Sequence, residues 1–216
     1  MKKKILIPII LILIIIGIIA VIILTKGTEE KKLLKVYEKM LENQTYAFTR
    51  YDFEETNKYI TYRKVDKTLI DMYISGEHMS TLIREGDMYL ISHASKEYFI
   101  YQNNHTDENI LTENLKDITS LEYVAGKEKI YGKTYKYEEY NGVSYFLISP
   151  EENIDMETIK TRFYFDGSNL VYLKTIYDTV NKETSKRETK EELQTIKVEY
   201  QVNDNVFEIP EEYAEY

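Results

Sequence analysis

The chain has 216 residues, of which 37 are acidic and 28 basic, so its formal net charge is −9. It contains no cysteine, which excludes disulfides, thiol nucleophiles and thiolate metal sites. Residues 25–216 carry all 37 acidic side chains but only 25 of the basic ones, a formal charge of −12. An excess of negative charge repels nucleic-acid phosphates, and nucleic acid is therefore not a predicted partner.

The N-terminus has the pattern of a membrane anchor. Three lysines, Lys2 to Lys4, precede an apolar run of twenty residues without a charged side chain. Twenty helical residues reach about 30 Å, the thickness of the hydrocarbon core, and the lysines favour a cytoplasmic N-terminus. We predict a cytoplasmic stub (1–4), a transmembrane signal-anchor helix (5–24), a linker (25–28) and an extracytoplasmic domain (29–216), which makes the chain a single-pass protein of the cell membrane.

The alternative for this N-terminal segment is a cleaved signal peptide. Such a peptide has an apolar region of about 7–15 residues that ends in a small-x-small site. Here the run is longer, and none of Val21 to Leu24 is small. Length and composition therefore favour a retained anchor.

The extracytoplasmic domain begins with an amphipathic helix followed by a β-meander. Thr28 can cap a helix over 29–43, in which apolar residues recur at helical spacing. Alternating segments follow, with turn signals at Ser75-Gly76 and Glu85-Gly86. The aromatic positions of the first segment change phase near Arg50, which predicts a β-bulge. The predicted strands of this half are 45–55, 58–65, 67–75, 77–84, 87–93 and 96–102.

The second half repeats the pattern of a helix followed by strands. Helical spacing over 107–122 predicts a helix that covers the sheet. Ser149-Pro150-Glu151 predicts the start of a short helix before Ile159, and the polar run 178–192 is typical of a solvated hairpin or loop. The remaining predicted strands are 127–140, 143–148, 161–166, 169–177 and 196–202, with a last edge segment at Phe207 and Ile209.

The order of these elements, the strand sequences YGKTYKYEEY and FYFDGSNLVYLK, and the ending FEIPEEY together resemble the LolA/LppX-like group of envelope lipoprotein carriers and lipid-binding lipoproteins. More narrowly, the chain resembles uncharacterised membrane-anchored exported proteins of AT-rich Gram-positive bacteria. The resemblance covers about residues 29–213. It implies a mainly β (α+β) fold: a strongly curved antiparallel sheet, or half-barrel, covered by one or two helices, which in several members encloses an apolar cavity.

No sequence pattern indicates a catalytic or metal site. The histidines, His78, His93 and His105, have no second ligand type at metal-like spacing. Nucleophile elbows, phosphate-binding loops and EF-hand loops do not occur. The pair Glu138-Glu139 cannot form a glycosidase dyad, because adjacent residues of a strand point to opposite faces. We therefore predict no enzyme activity, no metal and no cofactor.

Two functions fit these predictions. In the first, an envelope binding protein holds a lipid or other apolar ligand between the curved sheet and the covering helix. In the second, the same fold has a filled core and serves as a structural or protein-interaction module, with another envelope protein as its partner. The candidate ligand-binding residues of the first hypothesis are Leu111, Leu115 and Ile118 of the helix and Tyr131, Tyr135 and Tyr137 of one strand.

The three tyrosines share one phase of the segment 131–140, and their neighbours in the other phase are mostly polar. Tyrosine suits a half-buried sheet position, because its ring is apolar and its hydroxyl can reach water. The tyrosines therefore predict a half-buried sheet face, and a tyrosine-lined ligand surface is the alternative.

Overall fold

Alternating hydrophobicity and short turns produce a large sheet built from hairpins. The computed structural model describes residues 31–52, 56–102, 110–147, 154–180 and 186–216. Among these residues no helix is long and apolar enough to cross a membrane. The predicted anchor (5–24), its flanking segments and the capping residue Thr28 lie outside them.

Within the described residues, twelve strands and two α-helices follow one another from Lys32 to the C-terminus. They are α1 (Lys32–Asn43), β1 (Thr45–Asp52), β2 (Asn57–Lys64), β3 (Lys67–Ile74), β4 (Glu77–Arg84), β5 (Asp87–Ser92), β6 (Glu97–Tyr101), α2 (Ile110–Ser120), β7 (Val124–Ile130), β8 (Lys133–Asn141), β9 (Ile154–Asp166), β10 (Asn169–Val180), β11 (Arg187–Glu199) and β12 (Ala214–Glu215).

All twelve strands belong to one sheet, in the order β12-β6-β5-β4-β3-β2-β1-β11-β10-β9-β8-β7. Every neighbouring pair is antiparallel except β12 and β6, which are parallel. The sheet does not close on itself. These observations confirm a mainly β fold in which helices accompany a large antiparallel sheet.

Two-residue turns fix the register of several hairpins. Ser75-Gly76, Glu85-Gly86 and Tyr131-Gly132 each have a positive φ at both positions. This conformation is that of the type I′ turn, whose twist matches the twist of the flanking strands. Because Tyr131-Gly132 is a turn, the single strand predicted over 127–140 is in fact the hairpin β7-β8.

Two other local predictions are wrong. Residues 143–147 form no strand. The predicted helix start at Ser149-Pro150-Glu151 lies outside the described residues, and from Ile154 onward the chain belongs to β9. The pairing of β1 is continuous on both sides, so the bulge predicted near Arg50 does not occur. Register shifts occur instead between β9 and β10. The aromatic residues of β1 change phase because both faces of this sheet carry apolar side chains.

Both helices pack against the same face of the sheet, which we call the inner face. Leu115 and Ile118 of α2 are fully buried there, and so are Leu33 and Met40 of α1. Complete burial of one such side chain contributes about 1.5–3 kcal/mol. The sheet residues in this core are Tyr46, Phe48, Tyr140, Phe163, Phe165, Leu170, Leu173 and Ile196, and the β8-β9 connection adds Val143 and Phe146.

The strands near β3 have their core on the opposite, outer face. Residues directly across an antiparallel pair share a face, whereas successive residues of a strand alternate. Phe48 points inward, so its neighbour Ala47 points outward, and Ala47 lies across from Tyr62. Tyr62 in turn lies across from Leu69, and Leu69 across from Leu82. The side chains of Leu69 and Leu82 therefore belong to the outer face.

The C-terminal segment covers this part of the outer face. Phe207, at the end of a short 3₁₀ helix (Asp204–Phe207), is fully buried and packs with Leu69, Leu82 and Ile91. The predicted edge strand at Phe207 is thus a 3₁₀ turn, and β12 forms only after Pro210. One sheet is covered on two faces, by helices over one half and by the C-terminal segment over the other.

A buried carboxylate of β8 holds the N-terminus of α1. Glu138 is 4% exposed, and its Oε1 and Oε2 accept hydrogen bonds from the backbone N–H groups of Lys32 (2.5 Å) and Leu33 (3.2 Å). The first N–H groups of a helix have no partner within it, and the helix dipole favours a negative charge there. The Tyr140 hydroxyl donates to the same carboxylate at 2.9 Å. Burial, which is the larger cause, and the negative carboxylate, which is the smaller one, raise the pKa of Tyr140 above its usual range.

We expect the substitution Glu138→Leu to lower the free energy of unfolding by about 3 kcal/mol, because it leaves two N–H groups of α1 and the Tyr140 hydroxyl without an acceptor. Glu138→Gln retains an acceptor oxygen and is expected to cost about half as much. Denaturant unfolding of the full chain followed by circular dichroism measures both. Glu122→Leu is the control, because Glu122 is exposed and its loss is expected to change stability by no more than about 0.5 kcal/mol. Equal effects of the two leucine variants would contradict this role of Glu138.

Candidate functional site

The helix residues predicted to contact a ligand lie in the inner-face core. Leu115 and Ile118 are 0% exposed and packed against the sheet, and Leu111 is 9% exposed. Leu111 also lines a small cavity of about 170 Å³ together with Phe48 and Phe146. The space between α2 and the sheet is therefore filled at Leu115 and Ile118, and a cavity opens beside Leu111.

The small cavity has a charged wall. The Arg50 guanidinium donates through Nη1 to the carbonyl oxygen of Phe146 (3.0 Å) and to the Gln194 side-chain oxygen (3.3 Å), and it lies 4.2 Å from the centre of the Tyr59 ring. Burial lowers the pKa of Arg50 below its usual range, although the neighbouring Tyr59 and Glu192 act to raise it. The guanidinium already has these partners within the protein, and the cavity, whose lining is part apolar and part polar, is too small for an acyl chain.

A larger groove of about 390 Å³ lies beside α1. One wall is Val36 of α1, and the other consists of Leu170 of β10 with Ile196 and Val198 of β11. Tyr200, which follows β11, also lines the groove. These side chains form an apolar surface that is continuous with the inner-face core, since Val36, Leu170 and Ile196 also belong to that core.

Two lysines of α1 stand at the edge of this groove. Lys35 and Lys39 are four residues apart, which places them on the same side of the helix, and both side chains are exposed. The Lys39 ammonium lies 4.1 Å from the centre of the Tyr200 ring. The groove therefore combines an apolar wall with a basic edge in a protein whose net charge is negative.

The three predicted tyrosines lie on the outer face, away from the helices. Tyr131 is in the β7-β8 turn and is 65% exposed, whereas Tyr135 and Tyr137 are half-buried in β8. Their rings pack edge to face or tilted on other strand tyrosines: Tyr131 and Tyr135 on Tyr172, and Tyr137 on Tyr164. The structure thus brings the tyrosines together with one another but not with Leu111, Leu115 and Ile118. The mostly polar phase of the segment, which includes Glu138 and Tyr140, is the one that faces the helices.

An ion network joins four strands beside these tyrosines. Glu128 of β7 accepts hydrogen bonds from Lys174 (2.5 Å), Tyr164 (2.5 Å) and Arg162 (2.8 Å), and Arg162 also donates to Glu139 (2.6 Å). Burial raises the pKa of Glu128, but the three hydrogen bonds outweigh burial and lower it to about 2. The network therefore keeps the carboxylate ionised and stabilises this part of the outer face.

A second cluster of polar side chains lies at the other end of the outer face. Asp71 Oδ1 is 2.7 Å from His78 Nε2 and 2.6 Å from the Ser80 hydroxyl, which donates to it. The same hydroxyl oxygen is 2.7 Å from His93 Nε2, and His93 Nδ1 is 2.9 Å from the Tyr213 hydroxyl. The imidazoles of His78 and His93 are stacked, with their centres 3.5 Å apart and an angle of 4° between their planes.

The proton positions in this cluster follow from what each group can donate. The ionised Asp71 carboxylate only accepts, and Ser80 has a single hydroxyl proton, which it donates to Asp71. His93 Nε2 therefore donates to Ser80, and His93 Nδ1 accepts from Tyr213. Burial and the neighbouring His78 lower the pKa of His93, and Asp71 opposes them. Burial and Asp71 raise the pKa of Tyr73, which stacks on His78, to about 12.

The sequence prediction missed this cluster because its members come together through strand pairing. The turn Ser75-Gly76 places Asp71 opposite Ser80, and the next turn, Glu85-Gly86, places Ser80 opposite Ile91. His78 and His93 each lie two residues from a member of this row and therefore on the same face. Pairing the predicted strands antiparallel across the two predicted turns would have placed the two histidines close together.

We expect the substitution Glu128→Gln to lower the free energy of unfolding at neutral pH by about 1–2 kcal/mol, since a pKa lowered from 4.5 to about 2 favours the folded, ionised form and solvent at this partly exposed carboxylate reduces the effect. This contribution is complete above about pH 5 and is lost as the pH falls through about 2. Unfolding of both proteins over this pH range is the measurement. The difference between them should shrink as the pH falls, and a difference independent of pH would contradict the assignment.

No family model matches the chain, and no curated protein matches it. Among solved structures, the chain is similar to an uncharacterised conserved protein from Thermus thermophilus, with a TM-score of 0.44 and 10% sequence identity. The similarity covers 85% of this chain and 97% of that protein.

Proposed function

We propose that this protein is a membrane-anchored extracytoplasmic binding protein of the cell envelope, and that the groove beside α1 holds a single-chain amphiphile with an anionic head group. In this proposal residues 5–24 are the anchor, and the sheet is a curved half-barrel of the LolA/LppX-like type. The proposal depends on one observation above all, the groove of about 390 Å³ with an apolar wall and a basic edge.

The size and lining of the groove support an apolar ligand. Pockets for small molecules range from about 300 to 1,000 Å³ and are mostly apolar, with a few polar groups that orient the ligand. Val36, Leu170, Ile196 and Val198 provide the apolar surface. The exposed side chains of Ser168, in the β9-β10 turn, and Asn169, at the start of β10, line the same groove and can hydrogen-bond a polar head.

The charge at the groove edge supports an anionic head group. Lys35 and Lys39 project from one side of α1, and an ammonium group attracts carboxylate or phosphate. The rest of the domain is acidic, so anions are repelled from most of its surface and attracted locally at this groove. An acyl chain along Val36 and Val198 with its head group at Lys39 satisfies both features.

A second function, that of a protein-interaction module, is favoured by the filled inner-face core. Leu115, Ile118, Tyr46 and Phe163 are fully buried, so α2 covers no ligand-sized space at these residues. In this alternative the groove is a surface depression and the half-exposed tyrosines of the outer face contact another envelope protein. The two functions differ in whether an amphiphile occupies the groove.

We expect a photoactivatable fatty acid to crosslink to peptides of α1 and β11 when the full chain is kept in native membrane vesicles. Val198→Trp fills the groove and should lower this crosslinking at least tenfold, a difference of about 1.4 kcal/mol in binding. The matched control is Val124→Trp, since Val124 is 61% exposed on β7 and outside the groove lining. Mass spectrometry of the labelled peptides gives the result. Labelling that is confined to residues 5–24, or equal in both variants, would exclude the groove and leave the interaction module.

A further inference from the structure

We propose that Asp71, His78 and His93 form a binding site for a divalent transition-metal ion of the zinc class. The site lies on the outer face, on strands β3 and β4 and after β5, and is separate from the groove beside α1. One ligand atom from each residue can be chosen so that all three lie within 4.8 Å of one another. Two ligands bound at about 2.0–2.1 Å to one ion lie about 3.4 Å apart in a tetrahedral site, so the ligand atoms must approach one another by side-chain rotation when the ion binds.

The chemistry of the three side chains favours a metal such as zinc. Two imidazole nitrogens and one carboxylate oxygen form a common ligand set of zinc sites that keep an open coordination position. Asp71 has a side chain that is 12% exposed, and the side chain of His78 is 28% exposed. An open cavity of about 190 Å³ is lined by all three residues and by Glu208. An ion can therefore enter, and water or a further oxygen can complete its coordination.

The hydrogen bonds of the cluster are of the type that an ion replaces. Asp71 Oδ1 and His78 Nε2 already contact each other at 2.7 Å, and Ser80 connects Asp71 to His93. With an ion bound, Asp71 and the Nε2 atoms of His78 and His93 become ligands. The Ser80 hydroxyl then loses its hydrogen bonds to Asp71 and His93 and can hydrogen-bond water at the site. The imidazole planes are parallel, so at least one ring must rotate about its Cβ–Cγ bond for both nitrogens to point at one ion.

Tyr213 positions one of the ligands. Its hydroxyl lies 2.9 Å from His93 Nδ1, the ring nitrogen that does not face the site. When His93 binds a metal through Nε2, its proton moves to Nδ1, and the Tyr213 oxygen becomes the acceptor of that N–H group. A hydrogen bond of this kind fixes the tautomer and the ring orientation of a metal-binding histidine. The C-terminal segment that covers the outer face therefore also orients the site.

The test is a titration of the full, metal-stripped chain in detergent micelles with Co²⁺, followed by displacement with Zn²⁺. We expect one equivalent of Co²⁺ to bind, with visible absorption of the intensity that four-coordinate Co²⁺ has. His78→Gln and His93→Gln should each weaken binding by more than the 10- to 100-fold that loss of an outer hydrogen-bond partner causes. Tyr213→Phe keeps all three ligands and should weaken binding about tenfold.

The matched control is His105→Gln, which removes the third histidine and leaves the proposed ligand set intact. It should bind Co²⁺ as tightly as the unaltered chain. Nitrogen-15 spectra of the imidazoles provide an independent measurement, in which Zn²⁺ should move the proton of His93 from Nε2 to Nδ1. Absence of stoichiometric binding, equal affinity of the His93→Gln variant, or loss of binding in His105→Gln would each overturn the proposal. Metal-free His93→Gln that melts at the temperature of the metal-free unaltered chain, with no rise on addition of Zn²⁺, shows lost ligation and excludes lost folding.

Discussion

The hydrogen bonds between Glu138 and the N-terminus of α1 determine the arrangement of the inner face. They connect the first described helix to β8, more than one hundred residues later in the chain. Because they fix the start of α1, they also fix where Leu33 and Met40 enter the core and how α2 packs beside them. The groove lies between the same helix and strands β10 and β11, so its width depends on a carboxylate that does not line it.

The sheet distributes its exposed and covered surfaces unevenly. Helices cover the inner face where β1 meets β8 to β11, and the C-terminal segment covers the outer face over β3 to β5. On the outer face of β7 to β10, opposite the helices, Glu128, Arg162 and Lys174 pair among strand tyrosines. Tyrosine and paired charges allow such a face to contact water without exposing a large apolar area. The two proposed binding sites lie at the edges of the two covers.

Local pattern was sufficient to predict most strands and both helices, because turns such as Ser75-Gly76 and Glu85-Gly86 mark where the chain reverses. It could not predict which face of β8 is buried. Alternation along β8 places Tyr137 and Glu138 on opposite faces of the sheet. It does not show that the N-terminus of α1 needs the Glu138 carboxylate as a hydrogen-bond acceptor, and this contact puts the mostly polar face of β8 toward the helices. The groove was also missed, because it depends on which distant elements are neighbours. The histidine cluster was missed although it depends only on the pairing of consecutive hairpins.

The two-residue turns of the first meander make the outer-face histidines unusually dependent on chain length. Each turn reverses the chain with no spare residue, and the side chains of a strand alternate with a period of two. Replacing Ser75 or Glu85 leaves the alignment of Asp71, His78 and His93 unchanged. Inserting one residue inside a strand, where the turn cannot absorb it, shifts the register and turns the later histidine toward the opposite face. Homologues with the same three residues and a shifted register would therefore lack this arrangement, so strand register marks the cluster better than residue identity alone.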